Sequence, residues 1–282
     1  MRPVNKIAQH LLHDEVNNER TTVHNSLIDA IGNYCSYCEM PLSGYHIEHL
    51  RYTARWPESL SLSQWDDLLL ICNDCRSNIL VPELNESSVS AMLWPDRDIT
   101  FNLYNSPLKY QLRNVKYVVI SAEGERISEE NKELVFVIPN PNVKRTLYEK
   151  AFNTIVHFQL NMKLEYYDTV TNELRVPEIV HLQRLDNRIF KRTEAWHCAN
   201  DALDRIRQVN EISATKQETA LVMQLLINQI AMTAWYSGNW SVWMTVFQQQ
   251  AYDLTTIKQI LLNSQHPFPG TRNDNNQLFT AE

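Results

Sequence analysis

Glycine is scarce, at 5 of 282 residues, and no G-x-x-x-x-G-K-[ST] loop occurs. Nothing in the chain can therefore cradle a nucleotide triphosphate in the usual way, and any ATPase chemistry must belong to another protein. Basic charge is also short: 26 Lys and Arg stand against 33 Asp and Glu, for a net charge of −7. A protein that grips duplex DNA unaided normally presents a basic face that displaces counterions, and this composition supplies none. Long apolar runs are missing too. Residues 1–20 are broken by Arg2, Lys6, Asp14, Glu15, Glu19 and Arg20, so no signal peptide is expected and the protein is placed in the cytoplasm. The most apolar stretch, residues 217–236, carries Gln224, Asn228 and Gln229, which a bilayer interior disfavours; a core helix is expected there instead. Internal repeats and Ser/His/Asp spacings that suggest a catalytic triad are absent as well.

Cysteine is sparse but concentrated. Four of the five cysteines form Cys35-x-x-Cys38 and Cys72-x-x-Cys75, with 33 residues between the pairs. Each pair can supply two thiolates from a tight knuckle, and the two knuckles can share one tetrahedral zinc. Disulfides are the alternative, but a reducing compartment favours metal over disulfide for paired thiols. The intervening loop is longer than a zinc ribbon needs, so it carries something else.

That loop contains Gly44-Tyr45-His46-Ile47-Glu48-His49-Leu50. Apolar Tyr45, Ile47 and Leu50 around His46, Glu48 and His49 read as a short strand running into a turn, with one side buried and the other presenting Glu48. A carboxylate followed directly by an imidazole fits metal-dependent phosphodiester hydrolysis, the carboxylate holding a divalent ion and the neutral imidazole taking a proton from water. The same two residues also fit a solvated glutamate beside a histidine packed on the knuckle.

Taken together, the segment Cys35-Ser36-Tyr37-Cys38-Glu39, the Glu48-His49 pair and Trp65-Asp66-Asp67-Leu68-Leu69-Leu70 leading into Cys72-x-x-Cys75 resemble the HNH nuclease family. The resemblance extends to the opening Met1-Arg2-Pro3-Val4-Asn5-Lys6, to Trp94-Pro95-Asp96-Arg97-Asp98 with Thr100-Phe101, to Asp186-Asn187-Arg188 and to Arg192-Thr193-Glu194-Ala195-Trp196. These look like one branch of the family, the HNH subunits that stand beside ATPases in bacterial anti-phage systems of the Septu and retron-linked kind. The resemblance implies an α+β fold with a zinc-stapled ββα-metal module, a DNA endonuclease activity and a protein partner, which can be an ATPase subunit. It makes Glu48 a ligand of a catalytic Mg²⁺, Mn²⁺ or Ni²⁺, His49 the general base, and Cys35, Cys38, Cys72 and Cys75 the holders of structural zinc.

Several positions depart from the family pattern. Asp67 replaces the usual asparagine that orients the base, and can accept its hydrogen bond but not donate an amide proton. Arg76 stands where a further metal ligand is usual, and a permanent cation cannot ligate a metal. Asn78, two residues on, or His46, two residues before Glu48 on the same side of the strand, can substitute as ligands. Arg76, with Arg51, can instead hold a substrate phosphate, or its guanidinium can occupy the metal's place and leave a binding fold without hydrolysis. Residues 31–110 hold five Lys or Arg against ten Asp or Glu, about −5. DNA contact is therefore expected to be transient, with a partner supplying the affinity.

Around this module, residues 21–33 read as a helix capped by Thr21 or Thr22 and ended by Gly32, and a helix of about two turns after Cys75 should end before Pro82. Asp96-Arg97-Asp98 reads as a solvated loop with an internal ion pair. Residues 115–121 and 133–138 are β-branched and aromatic, and suggest two paired strands. The expected division is an HNH-like domain at 1–110, a β-rich connection at 111–141, a helical, partner-docking region at 142–262 and a disordered tail at 263–282. Within the helical region, Leu147, Ala151, Ile155, Phe158 and Met162 mark one buried face of a helix over 143–162. The cluster Arg184, Arg188, Lys191 and Arg192 reads as a solvated face, Cys198 as buried beside a structural His197, and the three tryptophans of residues 235–243 as a core corner or a protein interface.

Overall fold

A helix delivers the chain to the first cysteine pair. α1 spans Arg20–Ile31 and turns Leu27 and Ile31 inward, with Ile28 at the edge of the core. It stops at Gly32, whose φ of 80° a side chain would resist, and the Gly32 N–H closes the last turn on the Ile28 carbonyl at 2.7 Å. The computed structural model describes residues 1, 4, 20–42, 47–49, 68–77, 90–99, 105–120, 126–161, 165–168, 173–175, 187–211 and 216–249.

Strands β1 (Ile47–His49) and β2 (Leu68–Leu70) pair antiparallel, with Glu48 opposite Leu69 and His49 opposite Leu68. All three leucines of β2 are buried, which explains why this run is continuously apolar rather than alternating: both of its faces are covered. Helix α2 (Asn73–Ser77) follows directly, and the rest of the helix expected to end before Pro82 lies outside the described residues.

The expected pair of strands is longer than its β-branched centre. β3 (Leu108–Ile120) and β4 (Arg126–Pro139) run antiparallel from Leu108↔Pro139 to Ile120↔Arg126, with one irregularity at Val119/Ile120. The two β-branched centres do not face each other: residues 108–114 pair with 133–139 and residues 115–120 with 126–132, so each centre draws a more polar stretch of the other strand into the ladder. Lys116 also bridges to Glu129 on the neighbouring strand. Two short strands, β5 (Glu165–Asp168) and β6 (Glu173–Arg175), complete a sheet of order β4-β3-β5-β6.

Helices cover this sheet. α3 (Arg145–His157) packs on β4 and buries Ala151, while Leu147 and Ile155 are partly buried. α3 ends earlier than its apolar spacing suggests, in a turn where Gln159 takes a φ of 47°. α4 (Arg188–Glu211) packs on β4 and also against α5 (Lys216–Ser237) and α6 (Trp240–Gln249). Trp240 and Trp243 are fully buried and Trp235 is packed at the margin, so the tryptophan-rich segment is a core corner. The expected core helix at 217–236 exists as α5, but only one of its faces is buried. Leu221, Leu225 and Tyr236 stay 64%, 61% and 65% exposed, because the helix packs on α4 and α6 from one side and no second layer lies above it among the described residues. No helix among the described residues is long and apolar enough to cross a membrane.

A single apolar cluster contains Cys35, Leu69 and Trp94, then Val135 and Val137 of β4, then Ala199, Trp240 and Trp243. The 92–99 turn is tied in by the Leu93 N–H, which donates to Thr154 Oγ1 at 2.8 Å. Its Asp98 accepts from the Trp94 N–H at 2.9 Å and pairs with Lys150 at 3.0 Å. The Arg97–Asp96 pair expected here is present at 3.8 Å, but the loop is not solvated: Met92, Leu93, Trp94 and Ile99 are buried and Asp98 is paired with Lys150, because the turn packs against α3. The 263–282 tail lies outside the described residues.

The α5–α6 corner meets the first knuckle by backbone contact. Gly238 has a φ of 65°, and a Cβ built on it would fall 2.3 Å from the Glu39 carbonyl oxygen and 2.9 Å from Pro41 Cδ. Gly238→Ala is expected to destabilise the fold by about 2 kcal/mol or more, from left-handed strain and a clash with backbone that cannot yield. A urea melt checks this: the midpoint falls while the slope is unchanged.

Candidate metal centre

The first knuckle is built by backbone bonds around Cys35. Its N–H donates to the Met40 carbonyl at 2.9 Å, and its carbonyl accepts from Glu39 N–H at 3.0 Å. Tyr34 and Pro41 form a bridge that closes the loop, and Glu39 takes a φ of 62° so that the chain can reverse. The second knuckle starts where β2 ends. Cys75 N–H points at Cys72 Sγ at 3.4 Å, and Arg76 N–H donates to the Cys72 carbonyl at 3.0 Å. The knuckles are joined by Ser36 N–H, which donates to the Leu70 carbonyl at 2.7 Å.

These bonds bring the sulfurs of Cys35, Cys38, Cys72 and Cys75 within 4.8 Å of one another. Cys38 and Cys72 are 3.5 Å apart, far beyond the ~2.05 Å of a disulfide and close to the ~3.8 Å edge of a tetrahedron built on Zn–S bonds of ~2.3 Å. All four cysteines are free thiols, so the donor set can hold a metal ion and suits zinc. Burial pushes the Cys38 and Cys75 thiols up. Cys72 is held far below the usual thiol range by hydrogen bonds from Cys35, Cys38 and Cys75. Four sulfurs within 4.8 Å of one another repel once deprotonated, so a cation that balances their charge stabilises the cluster.

Arg188, at the start of α4, is completely buried. Its Nη1 donates to Cys75 Sγ at 3.2 Å and to the Phe158 carbonyl at 2.8 Å, while Nη2 donates to the Gln159 carbonyl at 2.8 Å. One turn later, buried Arg192 donates to the carbonyls of Leu160 and Val135 at 2.9 and 3.1 Å. The two arginines thus take the carbonyls released where α3 ends, and one of them also reaches a knuckle sulfur.

A second anchor surrounds Glu39. Its Oε2 accepts from the Ser241 N–H at 2.8 Å, at the start of α6, and its Oε1 faces the amino group at Met1 at 2.5 Å and accepts from Tyr110 Oη at 3.2 Å. Burial would raise this carboxyl, but the amino group and the Ser241 amide hold it below the usual carboxylate range.

The four expected zinc cysteines are therefore together. Glu48 and His49 lie on β1, where only their backbone is described, and Arg76 is exposed at the end of α2. His46, Arg51, Asp67 and Asn78 lie outside the described residues. Two readings of the helical region need correction. Arg188 and Arg192 are not on a solvated face; they share the stripe continued by Ala195, Ala199, Leu203 and Ile206, all buried, and that spacing was the available signal. Cys198 and His197 are exposed, because both fall off the same stripe.

No family model matches the chain, and no curated protein or solved structure matches it either. The metal site can be tested directly. Arg188→Met removes a donor to Cys75 while retaining much of the side-chain length, and is expected to weaken zinc binding about 10–100-fold. Competition with a chromophoric chelator checks this. Cys72→Ser should lose the metal outright and unfold the cysteine module, seen by circular dichroism and elemental analysis.

Proposed function

We propose that the chain is an HNH-type, metal-dependent DNA endonuclease acting as the effector subunit of a bacterial anti-phage complex. The observation that supports this most is backbone order: two antiparallel strands followed by a helix, with Glu48 and His49 on the first strand and a four-cysteine cluster gripping both ends of the unit. In this reading Glu48, with His46 or Asn78, would hold a divalent ion, which would supply charge stabilisation to the phosphate as it is attacked. His49, oriented by Asp67, would take a proton from water as the water oxygen attacks phosphorus, and the P–O bond to the leaving oxygen would break with that oxygen taking a proton from solvent. Arg51 and Arg76 hold the phosphate. The partner, an ATPase subunit, supplies the DNA affinity that an acidic module lacks.

Arg76 favours a second reading. Its exposed cation stands directly after the last cysteine, where the family's further ligand is expected, and in that reading the chain is a non-catalytic binding or assembly subunit.

Plasmid cleavage by the zinc-loaded protein with Mn²⁺ or Ni²⁺, alone and with copurifying partner, separates the two. On the first reading His49→Ala lowers cleavage at least 100-fold and Glu48→Gln removes a second bound metal, both with zinc content unchanged. Absence of a second metal and of His49-dependent nicking, in the presence of the partner, supports the second.

A further inference from the structure

Three of the four clustered cysteines are closed off from solvent and one is not. Cys35, Cys38 and Cys75 are 0%, 5% and 0% exposed, whereas Cys72 is half-buried. A small dissolved oxidant therefore reaches Cys72 first, since thiol oxidation follows access as well as thiolate character. Cys72 also stands just beyond β2, two residues after Leu70, whose carbonyl joins the knuckles through the Ser36 N–H at 2.7 Å.

What an oxidised Cys72 can bond to is decided by how its neighbours are held. Cys75 lies in the same knuckle, but its Sγ accepts from Arg188 Nη1 at 3.2 Å. That guanidinium is fixed by the Phe158 and Gln159 carbonyls, each at 2.8 Å. It cannot follow the sulfur, so drawing Cys75 away would strip a buried cation of one acceptor. Cys35 is pinned on both sides, its N–H to the Met40 carbonyl at 2.9 Å and its carbonyl to the Glu39 N–H at 3.0 Å. Cys38 Sγ lies 3.5 Å from Cys72 Sγ, across the gap between the knuckles, and a closure of roughly 1.5 Å brings such a pair to the ~2.05 Å of a disulfide.

We propose that Cys72 and Cys38 form a peroxide-operated switch, in which Cys72 is oxidised and Cys38 closes on it as a cross-knuckle disulfide that releases the metal. The Cys72 thiolate attacks one peroxide oxygen; an S–O bond forms, the O–O bond breaks, and the departing hydroxide takes a proton from solvent. The Cys38 thiolate then attacks the Cys72 sulfur, forming the S–S bond and expelling a second hydroxide, which is protonated likewise. In all, the two thiolates lose a pair of electrons and the peroxide is reduced to water. Cys35 and Cys75 are then the only thiolates left, too few for a structural zinc site, which needs a full tetrahedron of protein ligands. The disulfide joins the same two knuckles as the metal, so the cysteine module keeps a staple in either state. Nothing in this switch requires nuclease activity.

Titration of the full-length, zinc-loaded protein with hydrogen peroxide tests it, with released zinc read by a chromophoric chelator and disulfides mapped by mass spectrometry. Exposed Cys198 gauges the dose delivered. The expected result is a Cys38–Cys72 disulfide that appears in step with zinc release and is reversed by dithiothreitol with added zinc. Circular dichroism should change less than when a chelator strips zinc from the reduced protein. Zinc retained at doses that fully oxidise Cys198, a disulfide confined to either Cys-x-x-Cys pair, or a loss of circular dichroism equal to that caused by the chelator overturns the proposal.

Discussion

Four thiols in an apolar interior are the constraint on which the rest of the structure depends. Cys35, Cys38 and Cys75 are buried, and their sulfurs face each other and Cys72 rather than solvent. Gathering polar, acidic groups in such a place is unfavourable unless a cation compensates them, and structural zinc returns ~10 kcal/mol or more when its thiolates deprotonate onto it. The small sheet beside the cysteines has three-residue strands, too little to stand alone. The packing of β2 beneath the knuckles, and a metal that the four sulfurs can hold, would together let so short a pairing keep Glu48 and His49 in register.

The knuckles are not a free-standing finger. The start of α4 touches the second through Arg188, and the α5–α6 corner touches the first through Gly238 and Glu39. Arg188 does two incompatible-looking things at once, satisfying carbonyls at the end of α3 and a cysteine sulfur. A planar guanidinium with five donors in fixed directions can do this where a lysine could not. Buried without acceptors, either arginine would be strongly destabilising; with them, it locks three elements into one arrangement. The metal site and the helical region therefore share one polar network, and a disturbance at either should be felt at the other.

The elements that the sequence revealed are those whose signals are local. Gly32 ends α1, the two Cys-x-x-Cys pairs make knuckles, and the β-branched segments around Val118 and Val135 form neighbouring strands. What escaped depends on distant partners. The register of the hairpin is one such feature: residues 115–120 pair with 126–132 and residues 108–114 with 133–139, so each β-branched centre recruits a more polar stretch of the other strand and both strands run beyond their centres. Arg188 and Arg192 look like part of a mixed-charge surface because their acceptors lie some 30 residues away, at the end of α3. Arginine types suggested solvent while their helical positions indicated the core, and position decided. The same test applied to Cys198 gives the opposite result: a residue type that is usually buried sits off the buried stripe, and is exposed.

The distribution of charge also bears on what such a protein can do by itself. Its cations are drawn inward at Arg188 and Arg192, leaving still less basic surface than a count of residues suggests. Two guanidinium groups committed to carbonyls and a sulfur cannot neutralise phosphates, and among the described residues burial withdraws these two cations against the one carboxylate of Glu39. Affinity for a polyanion must then come from a bound divalent ion, from the few arginines near the cysteine module, or from another polypeptide. A divalent ion contributes two charges at one point, enough to orient a single phosphate but not to hold a duplex along its length. On the proposed reading, contact would therefore be delivered by a larger assembly, and the outer face of α5, which carries no charge from Thr219 to Ser237, is one described surface on which protein association meets no electrostatic cost.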